Sequence, residues 1–298
     1  MTNKRNRSTV FTAGAVSLGL LASACGSDAT TTTSTTRPVS TTTVPPSTTS
    51  TAATTSSTTK PAPSVAVAIY LVRAEKVGAV RRVGRQQDSL RSALEALLNG
   101  PSATDAQQEL TSAIPKGTRL RNVRVVAGVA TIDLSTEFDS GGGSLSMTAR
   151  IAQVVYTATQ FSTIQKVLFE IDGKPVTALG GEGIVIDKAQ SRADWESLTP
   201  AILLESPFPG DALASPVTVR GSANVFEAVF RVRIKDSSGQ VLADERVMAT
   251  SGTGTRGTFN EQIAYSIATP GPGTVTVYEN SARDGSEINV VTIPVTLG

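Results

Sequence analysis

Nucleophilic, acid–base and metal chemistry draws mostly on histidine, cysteine and paired carboxylates, and this chain is poor in the first two. It has no histidine and a single cysteine, Cys25. Serine–lysine or paired-carboxylate chemistry stays formally open, but no motif places such groups together. Two stretches could still bind a ligand. Ser140-Gly-Gly-Gly-Ser144 precedes a helical pattern and could cradle an anion on its backbone amides. It lacks, however, the Gly-Lys-Ser/Thr ending of a P-loop and the spaced glycines of a dinucleotide fingerprint. Asp133, Glu137 and Asp139 could form a cation site. Against that, Asp133 occupies the polar phase of a strand and the other two lie in a polar loop. The plainer readings are a strand-to-helix connection and solvated carboxylates. No catalytic residue, metal or cofactor is expected.

The elements that must position these residues form one unit. Ala130, Ile132 and Leu134 alternate with Thr131 and Asp133, as in a strand with one buried face. After the glycine-rich loop, Met147, Ile151, Val154, Val155 and Ala158 fall on one face of a helix and read as core. A second strand, Lys166 to Ile171, ends at the turn signal Asp172-Gly173. Upstream, Val65 to Val72 is an apolar run expected of a buried strand, with Ala79 to Val83 able to pair back on it. Ser89 to Asn99 reads as a helix stopped by Gly100-Pro101, and Thr104 to Leu110 as a short second one. Val123 to Val126 and Ala130 to Leu134 flank a turn at Gly128 and predict a hairpin. The order is roughly β(β)αββαβ, an α+β domain.

The first residues carry a different kind of signal. Lys4, Arg5 and Arg7 precede an apolar run from Val10 to Leu21, which ends in Ala22-Ser23-Ala24-Cys25. This is the grammar of a secretory leader over residues 1–24, and the run is short for a membrane span of about 20 residues. A lone cysteine after Leu-Ala-Ser-Ala resembles a bacterial lipobox, whose cysteine is lipidated and becomes the new N-terminus. The departure is Ala22, where leucine is usual. Lipidation of Cys25 is expected, with an ordinary leader and an incidental cysteine as the alternative. It would place the protein on the extracytoplasmic face of the cell membrane. Setting the three leader cations aside changes the balance from 27 basic to 24, against 25 acidic residues. A chain so close to neutral is not expected to bind nucleic acid.

Residues 25–64 form a tether. From Gly26 to Ser64, 24 of 39 residues are Ser or Thr, with five prolines among them. Such a composition cannot offset chain entropy by burial and predicts disorder. As a flexible coil it would span about 34 Å, and in a polyproline form at most roughly 120 Å.

Specific motifs in residues 65–187 carry a resemblance. They are Leu110-Thr-Ser-Ala-Ile-Pro-Lys-Gly-Thr118, Val129-Ala-Thr-Ile-Asp-Leu-Ser-Thr-Glu-Phe138, Gly141-Gly-Gly-Ser-Leu-Ser146, Gln153-Val-Val-Tyr-Thr157, Thr159-Gln-Phe161 and Ile171-Asp-Gly-Lys-Pro-Val176. Together they resemble the GerMN domain of sporulation and spore-germination lipoproteins. The resemblance implies two helices on a small mixed sheet, similar to ring-building modules that act by binding partners. It brings no catalytic residues.

Residues 188–200, with the only tryptophan, Trp195, read as a connector, and Trp195 is expected to pack between domains. From residue 201 to 298 the grammar is all-β. Phe226, Ala228, Phe230, Val232 and Ile234 alternate with Glu227, Arg231, Arg233 and Lys235. That predicts a half-buried strand whose charged row is a solvated outer face or a docking face. Further strands are read over Val217 to Arg220, Val241 to Thr250, Phe259 to Ile267, Thr274 to Glu279 and Ile288 to Val295, the spacing of a sandwich. Ser206-Pro-Phe-Pro-Gly210, Pro216-Val-Thr-Val-Arg-Gly-Ser-Ala-Asn224 and Phe226 resemble Gmad2, an immunoglobulin-like domain found with spore-germination proteins.

Three kinds of function fit this reading. The first is a non-catalytic envelope lipoprotein that docks a protein partner or a copy of itself. The second is a module binding cell-wall glycan. The third, a small-molecule carrier, predicts an apolar cavity between strand and helix layers.

Overall fold

The first domain begins with a hairpin whose two-residue turn forces left-handed backbone. In a computed structural model describing residues 63–181 and 183–298, β1 (Ser64–Arg73) pairs antiparallel with β2 (Lys76–Arg85) through Ala74 and Glu75, at φ 47° and 62°. Positive φ at both turn residues matches the right-handed twist of the flanking strands. The leader, Cys25 and residues 25–62 of the tether lie outside the described residues. Two helices follow, α1 (Ser89–Leu98) and α2 (Ala103–Gln107). The second is held by a capping box in which the Ser102 amide donates to Asp105 at 2.7 Å. Then come β3 (Leu120–Val126), β4 (Val129–Leu134), α3 (Ser144–Ala158), β5 (Lys166–Ile171), and three two-residue strands: β6 (Lys174–Pro175), β7 (Ala178–Leu179) and β8 (Ile184–Val185). Strand β4 runs antiparallel to β3 and parallel to β5, with α3 as the crossover, in a four-stranded mixed sheet ordered β3-β4-β5-β6. Ala130, Ile132, Leu134, Val167 and Phe169 turn to the core. Against them lie Met147, Ile151, Val154, Val155 and Ala158 of α3, all buried as their spacing predicts.

The β1–β2 hairpin forms a sheet of its own and does not extend the mixed sheet. Side chains of α3 and of the turn that follows it explain the separation. Gln160 accepts from the Ala68 amide and donates to the Ala68 carbonyl, both at 2.6 Å. Two residues on, the Tyr70 amide donates to Thr157 Oγ1 at 3.1 Å, and Gln153 Nε2 donates to the Tyr70 carbonyl at 2.9 Å. Gln153 and Thr157, four apart, share one face of α3, and Gln160 follows just past its end; between them they meet the outward backbone groups of Ala68 and Tyr70, while those of Val72 pair with Thr111. The helix thus replaces a neighbouring strand, and the edge is sealed as buried backbone requires. Gln153 also accepts from the Ala113 amide at 2.8 Å and is fully buried. Gln153→Leu is therefore expected to destabilise the protein by about 2 kcal/mol, since it strands the buried Tyr70 carbonyl and the half-buried Ala113 amide. Urea denaturation of the variant and the parent checks this, and a loss near zero would contradict it.

The second domain comprises β9 (Ile202–Ser206), β10 (Ala212–Leu213), β11 (Val217–Ala223), β12 (Val229–Asp236), β13 (Val241–Met248), β14 (Gly257–Ile263), β15 (Gly271–Asn280) and β16 (Glu287–Leu297). They form a five-stranded sheet, β10-β16-β15-β12-β13, and a three-stranded one, β14-β11-β9. Their inner residues share one apolar cluster, with Phe230 of one sheet tilted against Phe259 of the other at 4.7 Å between ring centroids. Backbone approach is close here: a Cβ on Gly221 would lie 2.0 Å from the Leu203 carbonyl oxygen, at the irregularity where β11 shifts register on β9.

The alternation read from Phe226 to Lys235 holds only from Ala228 onward. Phe226 is 53% exposed, because Glu227 and Ala228 take φ of 53° and 60° and the strand starts at Val229. Two members of the charged row, Arg231 and Arg233, are engaged within the domain. Arg231 and Arg233 each donate to one oxygen of Asp244 on β13 at 2.8 Å, and Arg233 stacks over Tyr278 at 4.3 Å. Taken together, the described chain is mostly β with few helices.

Candidate functional site

The glycine-rich loop is filled by the protein itself. After a short 3₁₀ turn, Thr136–Asp139, the chain passes through Gly141 and Gly142 at φ 59° and 86° and enters α3 at Ser144. Arg150, two turns into the helix and 2% exposed, points back into this loop. Its guanidinium donates to the carbonyls of Phe138 at 2.7 Å, Ser140 at 3.0 Å and Gly141 at 2.9 Å, and to Ser146 Oγ at 3.1 Å. The loop thus turns acceptors toward a resident cation, the reverse of an anion cradle. A Cβ on Gly142 would meet the guanidinium at 2.9 Å, which is why this position has none.

The three carboxylates also take separate partners. Asp133 is buried and accepts from the Gly173 amide at 2.9 Å, so its place on the outer phase of β4 does not leave it solvated. Glu137 faces Arg119 at 3.7 Å, while Asp139 accepts from the Gly180 amide at 2.6 Å. Among the described residues no group of three acidic, cysteine or histidine side chains is placed to hold a metal ion.

Ionic and aromatic groups gather instead at the seam between the domains. The connector forms a 3₁₀ segment, Arg192–Leu198, started by a capping box in which Ser191 Oγ donates to Asp194 at 2.7 Å. That bond, with help from the Ser191 amide and Lys188, pulls the Asp194 carboxyl down to about 2. So anchored, the segment aims Arg192 into a ring of partners from both domains. Its Nη1 donates to Glu205 of β9 at 2.8 Å, its Nη2 to the Tyr70 hydroxyl of β1 at 3.1 Å, and its Nε to Thr159 at 2.9 Å. The guanidinium also lies over the rings of Tyr70 and Tyr156, 5.3 and 4.7 Å from their centroids. The Tyr70 hydroxyl donates in turn to Glu205. Burial, reinforced by the Glu205 charge, pushes the Tyr70 hydroxyl well above its ordinary value, so it stays a donor.

A second fork sits at the other end of the connector. Arg256 donates from Nε and Nη2 to Glu196 at 2.8 and 2.9 Å, and to the Pro200 carbonyl at 2.8 Å. Arg81 of β2 pairs with Asp211 at 2.8 Å and covers the Phe208 ring. Trp195 is buried in the first domain's apolar cluster, which continues into Leu203 of β9. The sequence marks Trp195 as a seam residue. It carries no comparable signal for Arg192, a single arginine in a polar connector.

The seam leaves a mainly apolar cleft of ≈250 Å³, lined among others by Val77, Leu110, Leu204 and Val290. It lies between the two domains, whereas a carrier of the kind read from the sequence would have it between strand and helix layers.

Two family profiles match successive stretches of the chain. A profile described as sporulation and spore germination matches residues 61–177, and one described as an immunoglobulin-like domain of bacterial spore germination matches residues 201–286. Comparison with the curated proteins found no match. Among solved structures, the tandem GerMN domains of the sporulation protein GerM from Bacillus subtilis align at 19% identity and a TM-score of 0.39. That alignment covers 69% of this chain and 63% of the other, so this chain spans less than two thirds of that relative. The first GerMN domain of the same protein aligns at 25% identity and a TM-score of 0.36, over 44% of this chain and 99% of that one. A candidate lipoprotein from Clostridium perfringens aligns at 24% identity and a TM-score of 0.33, over 46% of this chain and 93% of its own. This chain therefore carries a GerMN domain of the sporulation and spore germination family, followed by a Gmad2 immunoglobulin-like domain of bacterial spore germination.

Proposed function

We propose that this chain is a non-catalytic binding module of the bacterial cell envelope, anchored by lipid at Cys25 on the extracytoplasmic face of the membrane and docking an envelope protein through its two domains. The observation that carries the reading is the seam: Arg192 and Arg256 fasten a GerMN domain and a Gmad2 domain into one body. Two spore-germination domains joined this way meet a partner with a fixed relative geometry, and fixed geometry lowers the ordering cost of binding. The leader grammar before Cys25 and the Ser/Thr-rich tether support the anchor, since a tether of about 34 Å sets the joined domains off the membrane.

The anchor is tested by growing cells with labelled palmitate and partitioning the membrane fraction into detergent. Wild-type protein is expected to carry label and enter the detergent phase. Cys25→Ala is expected to lose both. An unlabelled wild-type protein would remove the anchor from the proposal. For the docking role, retention on protease-treated peptidoglycan at high salt would point to a glycan partner, and loss of retention to a protein.

A further inference from the structure

The cleft at the seam is open because two sheet edges meet there without pairing. Strand β9 ends one sheet of the sandwich, and β16 ends the other except at Thr296 and Leu297, where β10 joins it. The turn of the β1–β2 hairpin covers the gap only in part, leaving the ≈250 Å³ space. Buried Val77, Leu110, Leu204 and Ile293 line it, and Val290, 49% exposed, stands at its mouth. Pro207 and Pro209 stiffen one wall.

Charge in this lining has one sign. Arg73 and Lys76 contribute to it and no carboxylate does. Lys76 Nζ donates to the Ser197 carbonyl at 2.5 Å. The half-buried Arg73 side chain has no hydrogen-bond or ion-pair partner among the described residues. A cation at the wall of an apolar space is stabilised by an anion that a ligand brings with it.

We propose that this cleft binds a small anionic amphiphile: a short apolar body seated on Val77, Leu110 and Leu204, with a carboxylate head on Arg73 and Lys76. The volume is just under the range for drug-sized ligands, which favours a short body. The chain's own tether is a poor occupant, because Gly26 to Ser64 is mainly Ser and Thr and its three charges are Asp28, Arg37 and Lys60. An added strand from a partner is disfavoured as well. Asn289 has a φ of 53° where β16 shifts register, and Pro294 offers no amide, so little regular edge remains between them.

Octanoate titrated into the purified full chain, followed by heteronuclear NMR, tests this. Saturable binding is expected, with shifts centred on the cleft. Arg73→Glu and Val290→Asp are each expected to weaken it about tenfold or more, the scale of one charge-assisted contact. Octylammonium, with the same chain and the opposite charge, is expected not to compete. Absent saturation, equal binding of octylammonium, or affinity unchanged in both variants overturns the proposal. If Arg73→Glu fails to fold, Val290→Asp carries the test alone. The proposal stands on the cleft and not on the envelope reading: a chain that is lipidated but ignores octanoate loses only this inference.

Discussion

Replacing Arg192 with alanine is expected to lower the unfolding free energy by about 3–5 kcal/mol, the range found when one partner of a buried ion pair is removed. The variant takes away hydrogen bonds to Glu205, Tyr70 and Thr159 and a cation stacked on two tyrosine rings. It leaves the Glu205 carboxylate at a largely desolvated seam with Tyr70 as its remaining donor. Because these partners come from both domains, the loss falls on their coupling. A single denaturation transition is expected to separate into two, the immunoglobulin-like domain keeping its own core. Arg192→Lys keeps the charge but not the planar fork that reaches three partners at once, and an intermediate loss is expected. Denaturation followed by Trp195 fluorescence and by far-ultraviolet circular dichroism reads both effects, since Trp195 sits in the connector itself. A loss under about 1 kcal/mol with coincident transitions would show that the seam does not couple the domains.

Arg150→Met is expected to cost about 3 kcal/mol, through the carbonyls it leaves unpaired rather than through lost volume. The methionine keeps much of the buried stem, whereas Phe138, Ser140 and Gly141 lose their donor. Solvent can reach the exposed Ser140 and Gly141, so the Phe138 carbonyl carries most of the penalty. The effect is local. Hydrogen exchange in residues 138–146 is expected to rise, with the strands of the second domain unchanged. Unaltered exchange in the loop would mean that Arg150 does not hold it.

Both positions show what a sequence pattern can reveal. Period and turn chemistry are local properties, and they place α3, the β3–β4 hairpin and most strands of the second domain within a few residues. They do not report a polar side chain whose partner is remote. Gln153 and Thr157 stand outside the apolar stripe of α3, yet both are buried because β1, more than 80 residues earlier, needs its edge capped. Arg150 likewise lies outside that stripe, and Arg192 is one arginine in a polar connector; the partners that bury them are remote in sequence. Phe226 fails in the opposite direction: its alternation is correct, but two left-handed residues break the strand beside it. The Ser140–Ser144 loop offered glycines suited to an anion, and only the guanidinium inside it decides that its carbonyls face inward.

The central claim is that a lipid-anchored, two-domain body docks a protein of the envelope. Crosslinking in living cells, followed by mass spectrometry of the intact membrane fraction, tests it most directly when wild type is compared with Cys25→Ala. The account predicts that wild-type protein captures a defined membrane partner and that Cys25→Ala loses it. Recovery of cell-wall fragments alone from the wild type would contradict it.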